Sequence, residues 1–437
     1  MKKPILLLSM LLCSCGSGLP SGSSLSSSSS GNPSPPDISS IRIEGTNLLP
    51  APKEVIQSFD DVVYALDYMA FYRVDEKVTF QVDAKYAETL YSFEPILRKA
   101  YLTSDLADVY PVVFSSSKQT LTFTVDFSIS KDVASNPPEV VPSCPFYKEH
   151  DFKEDYASDL EFAFESGKAT CATSEQLFYA VTHHYEPDCV AGSAAARIYE
   201  EAKSILSSII DPSFDAFDKI KAVYDYLTSN IYYDSETAYS SDTYLVGEQA
   251  YYLEGVFFNE CAVCDGKAKA YSMLLQMLGI ECYRQAGTNE LGYDHAWNIV
   301  HYDDEYYISC VTYGSPSPKE ILGEEAIIPS YNMMLQDIET PYGEEWGYES
   351  HKHQDIVLSE TPFDVFGHMG RRVKDYDGFL ALTFDLELSS HQKYAFCYDG
   401  ENRESFEKSI IGLAQSKEWD IVTSPYNDGA IYQLIRK

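Results

Sequence analysis

Residues 257–280 read FFNECAVCDGKAKAYSMLLQMLGI, and the reading of this stretch decides the fold. Ala268, Tyr271, Leu274, Leu275 and Leu278 recur at helical spacing, and Gly279 stands where a helix C-terminal glycine belongs. The run predicts a buried helix with Cys264 in its first turn. A thiol there is stabilised as thiolate by the helix dipole, and the unpaired N–H groups of the same turn suit an oxyanion. Cys261 lies one turn upstream, outside the helix, and gains less. The Cys-x₂-Cys spacing also suits a zinc site or a redox pair, so the helix alone does not settle the role of the two cysteines.

The next informative stretch is residues 294–314, DHAWNIVHYDDEYYISCVTYG. It gives two alternating strands around Asp303 and Asp304. A two-residue turn there sets Trp297 opposite Cys310 and puts His295 on the same face, as a diagonal neighbour of Cys310. A helix carrying Cys264 at its N-terminus and packed on this face brings thiol and imidazole together.

The helix-initiating VCDGKAKAYSMLLQMLGI, then HAWNIV, then YYISCVTY resembles the transglutaminase-like superfamily, whose pattern runs G-V-C-x-G-Y-A, H-A-W-N, W-Y-x-V-D-x-T-W. The resemblance covers residues 190–315 and rests on three motifs in order. It implies an α+β fold: a central transglutaminase-like (papain-like) domain whose helix-initiating cysteine packs on an antiparallel sheet, flanked by smaller α+β domains. It also implies Cys264 as nucleophile and His295 as general base and acid. The position of the family's orienting aspartate falls on Cys310. Lys267 replaces a tyrosine of the pattern, and Tyr313 replaces a tryptophan.

A thiol accepts hydrogen bonds weakly and carries no charge at neutral pH, whereas the aspartate fixes the tautomer and stabilises the imidazolium. Loss of that carboxylate costs a serine triad on the order of 10⁴ in turnover. A cysteine nucleophile suffers less, because a thiolate–imidazolium pair pre-exists in the resting enzyme. Two further readings compete. Cys261, Cys264, His295 and Cys310 have the ligand types of a Cys₃His zinc set, and a disulfide joining Cys310 to Cys261 or Cys282 suits an exported chain. The expectation is a site with no metal and no cofactor.

Export follows from residues 1–15, MKKPILLLSMLLCSC: two lysines, a short apolar run, and a cysteine after a small residue. Residues 1–14 read as a lipoprotein signal peptide and Cys15 as the lipidated residue. Residues 16–36 are nearly half serine, with much glycine and proline, so residues 15–50 form a flexible tether. The expected location is extracytoplasmic, with the body lipid-anchored to the cell membrane. Loss of Lys2 and Lys3 takes the formal charge from -35 to -37. Such a charge disfavours nucleic acid and direct contact with anionic lipid. The partner expected is a protein or peptide outside the cell.

The 10 cysteines include Cys13 and Cys15; the body holds Cys144, Cys171, Cys189, Cys261, Cys264, Cys282, Cys310 and Cys397, whose pairing the sequence does not give. Residues 51–130 alternate helix and strand as a small α+β domain, and a proline-rich linker follows. Residues 152–331 form the transglutaminase-like domain, opening with two amphipathic helices. His351 and His353 lie in a polar irregular stretch and read as a solvated loop. Residues 373–437 read strand, strand, helix, strand, strand, a second small α+β domain. The function expected is that of a surface-anchored cysteine protease or transamidase working through a thioester. The alternative is a binding or scaffold module that kept the fold and lost the triad.

Overall fold

The computed structural model describes residues 49, 51–72, 77–104, 106, 113–126, 160–239, 248–288, 294–315, 331–339, 347–348, 356–388, 393–426 and 429–436. The expected signal segment, Cys15, nearly all of the expected tether, the expected linker with Cys144, and His351 and His353 lie outside the described residues.

The N-terminal unit comprises β1 (Val55–Ile56), α1 (Phe59–Phe71), β2 (Lys77–Val82), α2 (Ala84–Glu88), α3 (Glu94–Thr103), β3 (Val113–Ser117) and β4 (Thr122–Asp126). Ser58 starts α1 by accepting from the Asp61 N–H at 3.2 Å. Asp83 caps α2 in the same way. Two separate helices follow β2: α2 ends at Glu88 and α3 begins at Glu94 with proline in its first turn. The strands form one sheet in the order β1-β2-β4-β3, with β1 parallel to β2 and the other pairs antiparallel. Strand β2 alternates buried and partly exposed residues, as KVTFQV predicts for a sheet covered on one face.

The central unit opens earlier than its two amphipathic helices, with β5 (Lys168–Cys171), α4 (Ser174–Thr182) and β6 (Glu186–Cys189). Thr173 and Gln176 form a reciprocal capping box at the start of α4. Helices α5 (Ala194–Ile209) and α6 (Ala216–Asn230) follow, capped by Ser193 and Asp215. The chain then passes β7 (Tyr232–Tyr233), α7 (Ser235–Tyr239), α8 (Leu253–Phe257) and β8 (Cys261–Ala262) into α9 (Cys264–Met277). Strands β9 (Cys282–Thr288), β10 (Asp294–Tyr302) and β11 (Glu305–Ser309) continue, then the single turn α10 (Val311–Gly314) and strand β12 (Gly347–Tyr348). The sheet runs β11-β10-β9-β12 and is antiparallel throughout. The hairpin turn is the expected one: Tyr302 faces Glu305, and Asp303 and Asp304 take φ of 52° and 62°. Positive φ at both central residues matches the right-handed twist of the flanking strands.

The C-terminal unit holds β13 (Arg372–Val373), a helix Tyr376–Leu388, β14 (Lys393–Tyr398), a helix Arg403–Ser416, β15 (Trp419–Tyr426) and β16 (Gly429–Arg436). Its order departs from the one read in the sequence, because residues 376–388 are helical and helix follows strand twice before the final hairpin. The sheet order β13-β14-β16-β15, with β13 parallel to β14, repeats that of the N-terminal unit. The agreement reaches the register. Val55 and Ile56 pair with Gln81 and Val82, the last two residues of β2, and Arg372 and Val373 pair with Cys397 and Tyr398, the last two of β14. In both units a 13-residue helix follows, started by a side-chain cap from Ser58 or from Asp375, which accepts from the Gly378 N–H at 2.8 Å. Two copies of one βαβαββ design therefore bracket the central unit.

Candidate active site

Helix α9 is the axis of the site. Residues 264–277 are all buried, polar ones included. Gly266 permits this: a Cβ there would lie 2.4 Å from the Ala250 carbonyl oxygen and 3.1 Å from that of Tyr252. The first turn of α9 thus sits directly on passing backbone. Val263 at the N-cap supplies no side-chain hydrogen bond, so the positive end of the helix acts on Cys264 itself. At the other end Gly279 takes φ of 77°, as a helix-terminating glycine does.

Strand β10 lies against α9. Asn298 fixes the contact by donating from Nδ2 to the Ala268 carbonyl at 2.9 Å. That bond sets the strand's height on the helix and brings His295 to Cys264. Imidazole and thiol lie close enough for the charge of each to act on the other. On its other side His295 Nε2 lies 3.3 Å from Cys310 Sγ. Cys310 caps α10, its sulfur accepting from the Tyr313 N–H at 3.4 Å, and its own N–H donates to the Met333 carbonyl at 2.8 Å. The Tyr313 ring stacks on the imidazole, centroids 4.7 Å apart and planes 17° apart, and Trp297 lies beyond at 6.1 Å. Cys264, His295 and Cys310 are 0%, 3% and 1% exposed.

The electrostatics follow from this geometry. Burial alone would pull the His295 imidazole down, but the charge of Cys310, the hydrogen bonds with Cys264 and Cys310, and the charge of Cys264 raise it to about 10. The arrangement favours a protonated imidazole between the two sulfurs. Elsewhere burial outweighs the nearby cations: it pushes Cys189 up to about 11 against Lys203, and Cys261 and Cys397 up to about 12 against Lys267 and Arg372. Cys171 and Cys282 are raised further still.

Cys261 lies in β8 outside the thiol–imidazole group, and its thiol feels Asp234 and Lys267. Among the described residues no group of three histidine, cysteine, aspartate or glutamate side chains is placed to hold a metal. Cys261, Cys282 and Cys310 are free thiols, so the disulfide from Cys310 to either is not formed.

Two features of the site were not visible in the sequence. Lys267, which replaces a tyrosine of the pattern, is fully buried. Its Nζ donates to the Ile231 carbonyl at 2.9 Å and to Ser315 Oγ at 2.6 Å, which ties α9 to the end of α6 and to the turn carrying Cys310. Asp265, next to Cys264, pairs with Lys269 and accepts from Arg284 Nε at 2.6 Å. Arg284 also donates from Nη1 to the Ser104 carbonyl of the N-terminal unit at 3.3 Å.

A cysteine at a helix N-terminus beside a histidine on an antiparallel strand, on an α+β scaffold, is the arrangement of a transglutaminase-like fold. The central unit is transglutaminase-like: residues 203–310 match the model of the Transglutaminase-like superfamily. Kyphoscoliosis peptidase of Mus musculus is 21% identical over 136 residues, 29% of this chain and 20% of its own length. The Homo sapiens kyphoscoliosis peptidase is 22% identical over 122 residues, 25% and 18% of the two chains. This chain thus spans about a fifth of the curated relatives it matches. A crystal structure of a TGase is similar over 54% of this chain and 50% of its own, at 16% identity and a TM-score of 0.24.

Proposed function

We propose that the protein is a surface-anchored cysteine protease or transamidase that acts on protein or peptide carbonyls through a thioester. The observation that carries the reading is the placement of the His295 imidazole between Cys264 at the start of α9 and Cys310 at the end of the hairpin. Cys264 thiolate attacks the carbonyl carbon, and the first-turn N–H groups of α9 stabilise the oxyanion. The carbon–nitrogen bond breaks as His295 gives its proton to the leaving amine. Water or a second amine then attacks the thioester, its proton passes to His295, and the Cys264 thiolate leaves. Water gives proteolysis; an amine gives cross-linking. The buried thiol requires the residues covering it to part before a chain enters. A lipid on Cys15 and the serine-rich tether hold this body off the membrane.

The second reading is a binding or scaffold module, favoured by the cysteine at position 310 and by the full burial of Cys264. The two are separated by incubating the full chain with casein, with and without an amine donor, beside Cys264→Ala. Fragments or amine incorporation that vanish in Cys264→Ala support the enzyme. A chain inert in every form, whose Cys264 also resists alkylation, supports the module.

A further inference from the structure

We propose that Cys310 is a positioning residue that works as a thiolate, its single sulfur holding His295 in the place of a carboxylate. The inference rests on the reading of Cys264 and His295 given above. Two nitrogens converge on the sulfur: the Tyr313 N–H donates to it at 3.4 Å, and His295 Nε2 lies 3.3 Å away, a donor to it once the imidazole carries a proton on that nitrogen. A neutral thiol is a weak acceptor, whereas a thiolate accepts both bonds and opposes the imidazolium charge.

The sulfur is also held in place. The Cys310 N–H donates to the Met333 carbonyl at 2.8 Å, and its carbonyl accepts from the Gly314 N–H at 2.9 Å. Its side chain packs with Trp297, Ile308 and Met333. Gly314 lets Tyr224 of α6 into the turn, since a Cβ there would lie 1.8 Å from Tyr224 Oη. Of the titratable groups around the pair, Cys264 comes from α9, Tyr313 stacks on the ring from α10, and Tyr224 comes from α6. Burial, then the charge of Cys310, keeps the Tyr224 phenol neutral, so the imidazolium is the cation that Cys310 meets. Lys267 holds the far end of the same turn through Ser315 Oγ. Asp294 precedes His295 on β10, and strand alternation directs it to the opposite face.

Reaching this state moves one thiol proton onto the imidazole and releases the other to solvent. The imidazolium then carries a proton on each nitrogen. Nε2–H is held by Cys310, which leaves the other nitrogen to exchange its proton with Cys264 and the leaving amine.

The test uses the full chain with Cys264→Ala, where Cys310 is the remaining thiol at the imidazole, and Cys264→Ser as a second background in case the first is poorly folded. Ultraviolet thiolate absorbance and the His295 resonance of histidine-labelled protein are followed against pH, with and without Cys310→Ala. The expected result is one thiolate at pH 7 that the added Cys310→Ala abolishes, together with a downward move of the His295 titration by one unit or more. Equal absorbance and an unmoved titration would overturn the proposal. With Cys264 restored, Cys310→Asp should stay within about tenfold of wild type and Cys310→Ser should fall about 100-fold. Equal activity of the Asp and Ser variants would also overturn it. If every form is inactive while the thiolate signal is present, the enzyme reading fails and the charge state of Cys310 stands.

Discussion

Arg284 Nε lies 2.6 Å from Asp265 Oδ1, so the residue that follows Cys264 is clamped to strand β9. Lys269, one turn along α9, holds the other carboxylate oxygen. All three side chains are buried. Removing the shared anion takes from two buried cations the carboxylate that both contact. Asp265→Asn should therefore cost about 3–5 kcal/mol of stability, read from denaturant unfolding. Combining Asp265→Leu, Lys269→Met and Arg284→Met in one chain should recover most of that loss, because the three charges are then removed together. If Asp265→Asn unfolds at the wild-type midpoint, the triad does not hold the nucleophile's turn.

Selective alkylation separates the thiols. Cys189 is the most exposed cysteine among the described residues, yet burial and its acidic neighbours hold it protonated, up to about 11. The thiols that face an imidazole are Cys264 and Cys310. Iodoacetamide at pH 7, followed by peptide mapping, should label Cys264 ahead of Cys189 despite the difference in exposure. Faster labelling at Cys189 would mean that access, not thiolate character, governs reactivity here.

Gly266 admits a sharp steric test. Its missing Cβ is what lets the first turn of α9 lie 2.4 Å, measured from the ideal Cβ position, from the Ala250 carbonyl oxygen. Backbone stands in the way, so no rotamer change relieves a methyl group. Gly266→Ala should cost about 1–3 kcal/mol and lower turnover by shifting Cys264 from His295. Wild-type stability and activity would contradict the packing described for this turn.

Lys267 is the residue whose role differs most from what its type suggests. Lys267→Met keeps the aliphatic bulk and removes the donor to the Ile231 carbonyl and Ser315 Oγ. A loss of about 1–3 kcal/mol is expected, together with a fall in kcat larger than any change in KM, because the turn carrying Cys310 loses its tie to α9. A variant with unchanged kcat would confine Lys267 to packing.

Much of this site is legible in the sequence, and the reason is local. Cys264 starts a helix whose apolar spacing and terminal glycine are in the sequence, and His295 and Cys310 share a face through one two-residue turn. The buried charges of α9 are not legible because their partners come from afar: Arg284 on β9, Ser315 beyond α10, and Ile231 at the end of α6. A periodic pattern sends Asp265, Lys267 and Lys269 to solvent; packing on every side of the helix sends them inward. The duplicated outer unit is hidden for a different reason. Residues 383–388, TFDLEL, alternate apolar and polar and so mimic a strand, and only the helix Tyr376–Leu388 with its β13–β14 register shows the match to α1.

The last prediction concerns pH. The His295 imidazole is raised from 6.5 to about 10 in the folded chain. A raised histidine binds its proton more tightly folded than unfolded, so its contribution is present in full below pH 6.5 and is lost as pH rises through about 10. Unfolding midpoints of wild type and His295→Gln, measured at pH 7, 8.5 and 10, should converge toward the alkaline end. In Cys310→Ala the raising charge is reduced, so convergence should come at a lower pH than in wild type. A wild-type advantage that grows with pH would reverse the sign and show that His295 is neutral in the folded protein.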